Sequence, residues 1–375
     1  MSLRPYVVPP WGSVGLDHRR RAAHLDTMLR ELQLRARPAL GWHVLRYEAG
    51  GASVRGLSRV SRARLAVAQA RRRTCVDPDP AATAVVLRVG ALHDAVARGA
   101  GTRWRGVASL LRMHHAVMLG HPRAGGLRAG PVWIGGTGLD DCRYLPPPAA
   151  AVAELLTRLW PGIEDDALPA TLRAGLVYAA LTSIHPFLDG NGRTSRALAH
   201  VVLQRGGASV VSPAVGAAFT GVHAQAHADA LSGYQQGELQ PWLSLWLDLM
   251  ASALARLAAL VDAFGELAGQ LLADTHDPLA ALVRDELLAR PVSVLRPTAH
   301  RLGCSVRRLE AVLDTLARRG VITTRPGPGG TVQWGCPAAL AALACFDQPL
   351  ALRPREPGPH DLPLDSRGRR RTLCP

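Results

Sequence analysis

The segment that most constrains this chain is His185-Pro186-Phe187-Leu188-Asp189-Gly190-Asn191-Gly192-Arg193-Thr194-Ser195-Arg196, a loop that follows one apolar helical stretch and opens another. Two glycines flanking an Asn let the backbone turn several N–H groups toward one point, and the helix beginning there adds its positive dipole end. Such a turn is an anion cradle. Arg193 and Arg196, three residues apart on the first helical turn, share a face, and planar guanidinium groups suit phosphate oxygens. Asp189 offers the hard oxygen that Mg²⁺ prefers. His185, just ahead of the cradle, titrates near neutrality and suits a general base. Each part alone has a plainer reading: G-x-G at a helix start is an ordinary turn, and a His before Pro is an ordinary surface or core residue. Together within one short segment they describe a site for a nucleotide polyphosphate with Mg²⁺, next to a base able to take a proton from an incoming hydroxyl.

The surrounding composition favours helix. Hydrophobic residues make up 48% of the 375 positions but aromatics only 5%, and Ala and Leu form helices where β-branched and aromatic residues favour strands. A chain of this length exceeds one ordinary core, so one main domain with attachments is expected. All 44 Lys+Arg residues are Arg, which excludes a P-loop lysine, Schiff-base chemistry and any Lys nucleophile. The net charge of +15 is spread along the chain rather than clustered, as coding bias would leave it and a nucleic-acid footprint would not. Cys75, Cys142, Cys304, Cys336, Cys345 and Cys374 form no C-x-x-C pair, so neither zinc nor a disulfide framework is indicated. The first residues lack an apolar leader, and the most apolar stretch, Leu249 to Ala273, is interrupted by Arg256, Asp262 and Glu266. The expectation is a reduced, cytoplasmic protein without a membrane span.

Helical spacing runs from Leu16 to about Arg46, then over 57–73 and 81–98 around an Asp77–Pro80 breaker. It resumes over 105–119, 149–160, 168–184, 193–205, 223–236 and 242–273. Pro131-Val132-Trp133-Ile134 before Gly135-Gly136 reads as a strand and turn, the one hairpin of the middle region. From Pro278 the pattern changes: helices over 279–289, 297–302 and 305–319, then strands 321–324 and 331–334 about a Pro/Gly-rich turn, the order of a winged helix-turn-helix. The Pro-, Gly- and charge-rich end has little to bury and reads as disordered.

The segment 185–196 matches the Fic family motif H-x-F-x-[D/E]-G-N-G-R-x-x-R at every defined position. Arg112-Met113-His114, Gly126-Leu127-Arg128, Val132-Trp133-Ile134-Gly135, Pro146-Pro147 and Pro241-Trp242-Leu243 resemble the family's spacing as well. The resemblance implies a mainly α fold, a Fic-type helical bundle with a short β-hairpin flap. With the residue pattern outside it, the expected division is a helical N-terminal region (1–104), a Fic catalytic core (105–250), a connecting helix (251–277), the winged helix-turn-helix (278–346) and a disordered basic tail (347–375). The resemblance further implies transfer of AMP from Mg²⁺-bound ATP to a Ser, Thr or Tyr hydroxyl of a target protein. His185 would deprotonate that hydroxyl, Asp189 would hold Mg²⁺, and Gly190, Asn191 and Gly192 would cradle phosphates. Arg193 and Arg196 would neutralise the leaving pyrophosphate. Phe187 would anchor the loop, and strand 132–134 would be the flap that registers the target's backbone.

Two departures stand out. Many family members carry S/T-x-x-x-E-[G/N], whose Glu pairs with the second motif arginine and spoils γ-phosphate binding. The nearest stretch here, Gly51 to Gly56, has Arg55 at that place, so an uninhibited enzyme is expected unless Glu48 or Glu31 substitutes. On the nucleobase side, where the family often has Tyr and Asn, stand His227 and Gln235. His223 and His227 could form an i, i+4 metal pair but lack a third ligand, while the adjacent His114 and His115 point to different faces. Arg307, Arg308, Arg318, Arg319 and Arg325 could meet DNA phosphates. The rival readings are a DNA-binding regulator whose core senses nucleotide, and a Fic enzyme that removes AMP or transfers UMP or phosphate. A homodimer is open under each.

Overall fold

A computed structural model describes residues 6, 8–51, 80–102, 104, 106–118, 120–214, 223–273, 277–326 and 332–348. The helix expected over 57–73, the Ser53–Arg55 stretch and the tail from 349 onward lie outside them.

The described chain is mainly helical. The single helical stretch expected from Leu16 to Arg46 is two helices, α1 (Leu16–Gln33) and α2 (Ala39–Gly51). Pro38 accounts for the break, since proline disfavours helix in the residue before it and starts a new one readily. There follow α3 (Pro80–Gly101), α4 (Val107–Val117), α5 (Val152–Ile163), α6 (Ala170–Ile184), α7 (Asn191–Arg205), α8 (Ala224–Gln235) and α9 (Leu239–Leu272).

Helix α6 is the axle of the bundle. Every residue in it except Thr182 is buried, as befits a helix that is apolar all round. Asp26 of α1 caps its start, accepting hydrogen bonds from the N–H groups of Ala170 (2.6 Å) and Thr171 (3.0 Å). Two tryptophans of α9 close over it: Trp242 donates to the Gly175 carbonyl at 3.0 Å and Trp246 to that of Thr171 at 2.8 Å. Gly175 has to be glycine for this contact, because a Cβ there would stand 2.6 Å from the Trp246 ring. Helix α9 is long and apolar enough to cross a membrane, yet 56% of its most apolar window is buried inside the protein. Helices α1, α6 and α8 pack along it.

The hairpin expected at 132–134 is reduced to a single antiparallel bridge, Ile134 to Tyr144. Gly135 and Gly136 both take positive φ, and the Asp141 carboxylate accepts hydrogen bonds from the N–H groups of Thr137 and Gly138, curling the chain into a loop. Prolines at 131 and 146–148 lack the N–H groups needed to extend a ladder.

The C-terminal part holds α10 (Pro278–Ala289), β1 (Val292–Val294), α11 (Leu295–Leu302), α12 (Val306–Arg318), β2 (Thr323–Pro326), β3 (Val332–Gly335) and α13 (Pro337–Phe346). Strand β3 lies between β1 and β2, antiparallel to both, with Val292 opposite Gly335 and Pro326 opposite Val332. This part grips α2. His43 donates from Nε2 to the Leu288 carbonyl (2.9 Å), Arg46 donates to both carboxylate oxygens of Asp347 (2.7 Å each), and Tyr47 meets Phe346 edge-on. Asp347 and Gln348, assigned to the tail by sequence, are thus part of the packed structure.

Candidate active site

The site is the junction of α6 and α7. Helix α6 ends at His185, a non-glycine residue with φ 51° and ψ 57°. This left-handed conformation costs an L-residue about 1–2 kcal/mol and turns the chain sharply out of the helix. Arg128, buried, staples the turn: Nε donates to the His185 carbonyl at 2.8 Å, Nη1 to Gly130 at 3.0 Å, Nη2 to Pro147, and its backbone N–H to Pro186 at 2.9 Å. The His185 ring is fixed as well, Nδ1 donating to the Thr182 carbonyl at 3.2 Å. That bond places the proton on Nδ1 and leaves Nε2 basic. Burial holds the imidazole below its ordinary pKa, and the Arg128 charge pushes the same way.

After His185 the loop folds on itself. Phe187 is fully buried, and Asn191 spends its side chain there, accepting from the Phe187 N–H (2.9 Å) and donating to the Phe187 carbonyl (2.8 Å). Asn191 therefore faces any anion only with its backbone. Gly190 is the N-cap of α7 at φ 81°. A Cβ there would meet the Met118 sulfur at 2.3 Å. The first intrahelical bond of α7 runs from the Thr194 N–H to the Gly190 carbonyl, so the N–H groups of Asn191, Gly192 and Arg193 have no partner within the helix.

Asp189 is exposed. Its carboxylate accepts from the Gly190 N–H at 2.6 Å and from Arg193 at 3.0 Å. Burial tends to raise its pKa, but the Gly190 hydrogen bond and the Arg193 charge outweigh this and hold it below the ordinary carboxylate value. The group is ionised at neutral pH and faces solvent, so it fits a cation carried in with phosphates. Among the described residues no three or more His, Cys, Asp and Glu side chains gather to hold a metal by themselves.

Arg196, one turn further along α7, is buried. Its Nε lies 3.5 Å from Glu48 Oε1, and His200 Nε2 lies 3.7 Å from Glu48 Oε2. Glu48 belongs to α2 and is 1% exposed. These distances are ion pairing without hydrogen-bond geometry: neither oxygen of Glu48 has a hydrogen-bond partner among the described residues. A buried carboxylate so thinly satisfied is held by charge alone, an arrangement that a better-placed anion can displace.

Residues 185, 189–193 and 196 lie at the junction of α6 and α7. Gln235 is the half-buried last residue of α8. His227 lies close to Tyr178, 3.4 Å from ring nitrogen to hydroxyl, and edge-on to Trp242; burial and then Arg196 hold its pKa down to about 4. In the sequence Glu48 stood only as a possible substitute for the missing Glu, and Arg128 and His114 only as parts of stretches with the family's spacing, neither with a role at the site.

Residues 106–203 match the model of the Fic/DOC family. This stretch is a Fic domain. The Fic domain aligns with proteins named protein adenylyltransferase Fic: 37% identity over 107 residues with that of Drosophila willistoni, covering 27% of this chain and 20% of the relative, and 38% over 104 residues with that of Drosophila mojavensis, covering 26% and 19%. The match thus spans about one fifth of the length of these curated relatives. The crystal structure of a Fic family protein from Desulfovibrio desulfuricans G20 superposes with a TM-score of 0.52 at 17% identity, over 89% of this chain and 98% of that one. That likeness concerns the fold, and it extends well beyond the Fic domain.

Proposed function

We propose that this chain transfers AMP from ATP to a hydroxyl side chain of a protein, and that Glu48 restrains the reaction. The observation that carries the reading is the fixed His185 ring, basic at Nε2, directly ahead of Asp189 and the open N-terminus of α7. The target oxygen attacks the α-phosphorus, its proton passes to His185 Nε2, and the bond to the β-phosphate breaks to release pyrophosphate. The N–H groups of Asn191, Gly192 and Arg193 and the guanidinium of Arg193 receive the charge that builds on the phosphates. Asp189 would hold Mg²⁺, which when bound neutralises phosphate charge.

Glu48 pairs with Arg196, the guanidinium that in this reading would meet the γ-phosphate. The expectation of an uninhibited site, drawn from Arg55, is replaced in this reading by restraint from α2. Incubating the full chain and its Glu48→Gly variant with α-labelled or γ-labelled ATP tests it. Protein labelled from the α position only, and more strongly in the variant, supports AMP transfer under restraint; label from the γ position alone means phosphate transfer instead.

A second role is favoured by the C-terminal elements. Helix α10, strand β1, helices α11 and α12 and strands β2 and β3, in this order, read as a winged helix, with Arg307, Arg308 and Arg318 exposed on α12. Arg308 is tied to Asp277 only by a surface ion pair at 3.1 Å, worth little. Duplex DNA retarded by the full chain at low salt but not by Arg307→Ala/Arg308→Ala supports DNA binding; no retardation by the wild type rejects it.

A further inference from the structure

His114 of α4 stands at the back of the phosphate loop and touches it in two ways. Its imidazole lies flat on the Phe187 ring, centroids 3.7 Å apart and planes within 3°. Its Nδ1 accepts the Gly125 N–H at 2.8 Å, which places the ring proton on Nε2, and Nε2 donates to the Asp189 carbonyl at 3.0 Å. The residue is 1% exposed. One buried ring therefore ties three separate stretches together: α4, the turn at 120–126, and the loop between base and cradle. The bond falls on the peptide joining Asp189 to Gly190, the unit that sets both the aim of the Asp189 carboxylate and the left-handed turn that starts α7. The space is closed around it, since a Cβ on Gly190 would come within 3.1 Å of His114 Nε2.

We propose that His114 is a positioning residue for nucleotide and cation: it fixes the Asp189–Gly190 peptide, and through it the carboxylate and the N-terminus of α7, without touching either ligand itself. The cation part rests on the reading of Asp189 as the Mg²⁺ holder. The loop part does not.

Three substitutions in the full-length protein separate the two bonds. In Gln the amide nitrogen stands as many bonds from the backbone as His Nε2, so His114→Gln keeps the donor to Asp189 and loses the acceptor for Gly125. His114→Asn places its amide oxygen at the Nδ1 position and does the reverse. His114→Phe keeps the stack and loses both bonds. The measurements are amide hydrogen exchange over 187–194 and at Gly125 without nucleotide, Mn²⁺ affinity in the presence of ATP, and melting temperature. Loss of one buried hydrogen bond amounts to roughly three- to tenfold in an equilibrium. His114→Asn and His114→Phe are expected to accelerate exchange at Gly190 and Thr194 by about that factor and to weaken Mn²⁺–ATP binding by a similar one. His114→Gln is expected to match wild type on both while its Gly125 amide exchanges faster. The proposal is overturned if Gln behaves like Asn, or if loop exchange rises in Asn and Phe only in step with exchange across the whole domain and a common fall in melting temperature. Asp189→Asn is the control for the cation reading. If it binds Mn²⁺–ATP as wild type does, that reading fails, and loop exchange alone still decides the role of His114.

Discussion

At Gly190 the chain needs both a positive φ and an absent side chain, since Met118 and His114 close the space, and the turn brings the carboxylate of Asp189 and the open end of α7 to one place. Gly190→Ala is expected to lose at least about 1 kcal/mol of stability from the left-handed backbone, with the displacement of Met118 added, and to lose labelling with it; thermal denaturation and labelling check this together. His185→Ala should abolish labelling yet leave ATP affinity within a few-fold, because the imidazole acts on the hydroxyl and not on the phosphates. The pH profile follows from the lowered pKa of His185. The base is neutral and competent above its folded pKa, so the acid limb should lie below pH 6.5, and a limb above it would contradict the assignment. The motif was fully legible in the sequence because its parts are contiguous. Glu48 was named only as a substitute, since Val44 stands where a Ser or Thr is expected four residues before the Glu. Its partner lies on a helix far along the chain, and spacing cannot show contact at that distance.

Helix α2 is the element on which the proposed restraint depends, and it is held from behind. Residues 43, 46 and 47 face the C-terminal helices while Glu48 faces α7, so one short helix joins the two halves. The Arg46–Asp347 side chains are only 11% and 12% exposed, and breaking a buried pair leaves an unpaired charge at a cost of about 3–5 kcal/mol. Asp347→Ala should therefore loosen α2 and raise labelling toward the level of Glu48→Gly. Labelling unchanged beside faster amide exchange in α2 would show that Glu48 does not restrain the site. Most helices were legible from apolar spacing. The errors have local causes: Pro38 splits one helical stretch, and Gly135, Gly136 and the flanking prolines reduce a hairpin to one bridge. Strand β1 is too short for alternation to register.

At the scale of the molecule, the buried histidine between α2 and α10 couples folding to acidity. Burial holds the His43 pKa at about 4 against an ordinary 6.5. Protons then favour the unfolded chain between these values, so the stabilisation, about 3 kcal/mol by linkage, is complete above pH 6.5 and lost as pH falls toward 4. His43→Gln should flatten that acid limb of a denaturation series, although its lost bond to Leu288 lowers stability at neutral pH. Charge and composition, by contrast, said little about the site: arginine is everywhere, and it is the motif and then the geometry that distinguish Arg196, buried against Glu48, from the rest. The central claim is that a base at His185 transfers AMP under restraint by Glu48. The most direct measurement compares incorporation of α-label from ATP by wild type, Glu48→Gly and Glu48→Gly/His185→Ala at equal protein and Mg²⁺. The account predicts weak labelling, at least tenfold stronger labelling and none, in that order. Equal labelling by the first two, or persistent labelling by the third, would contradict it.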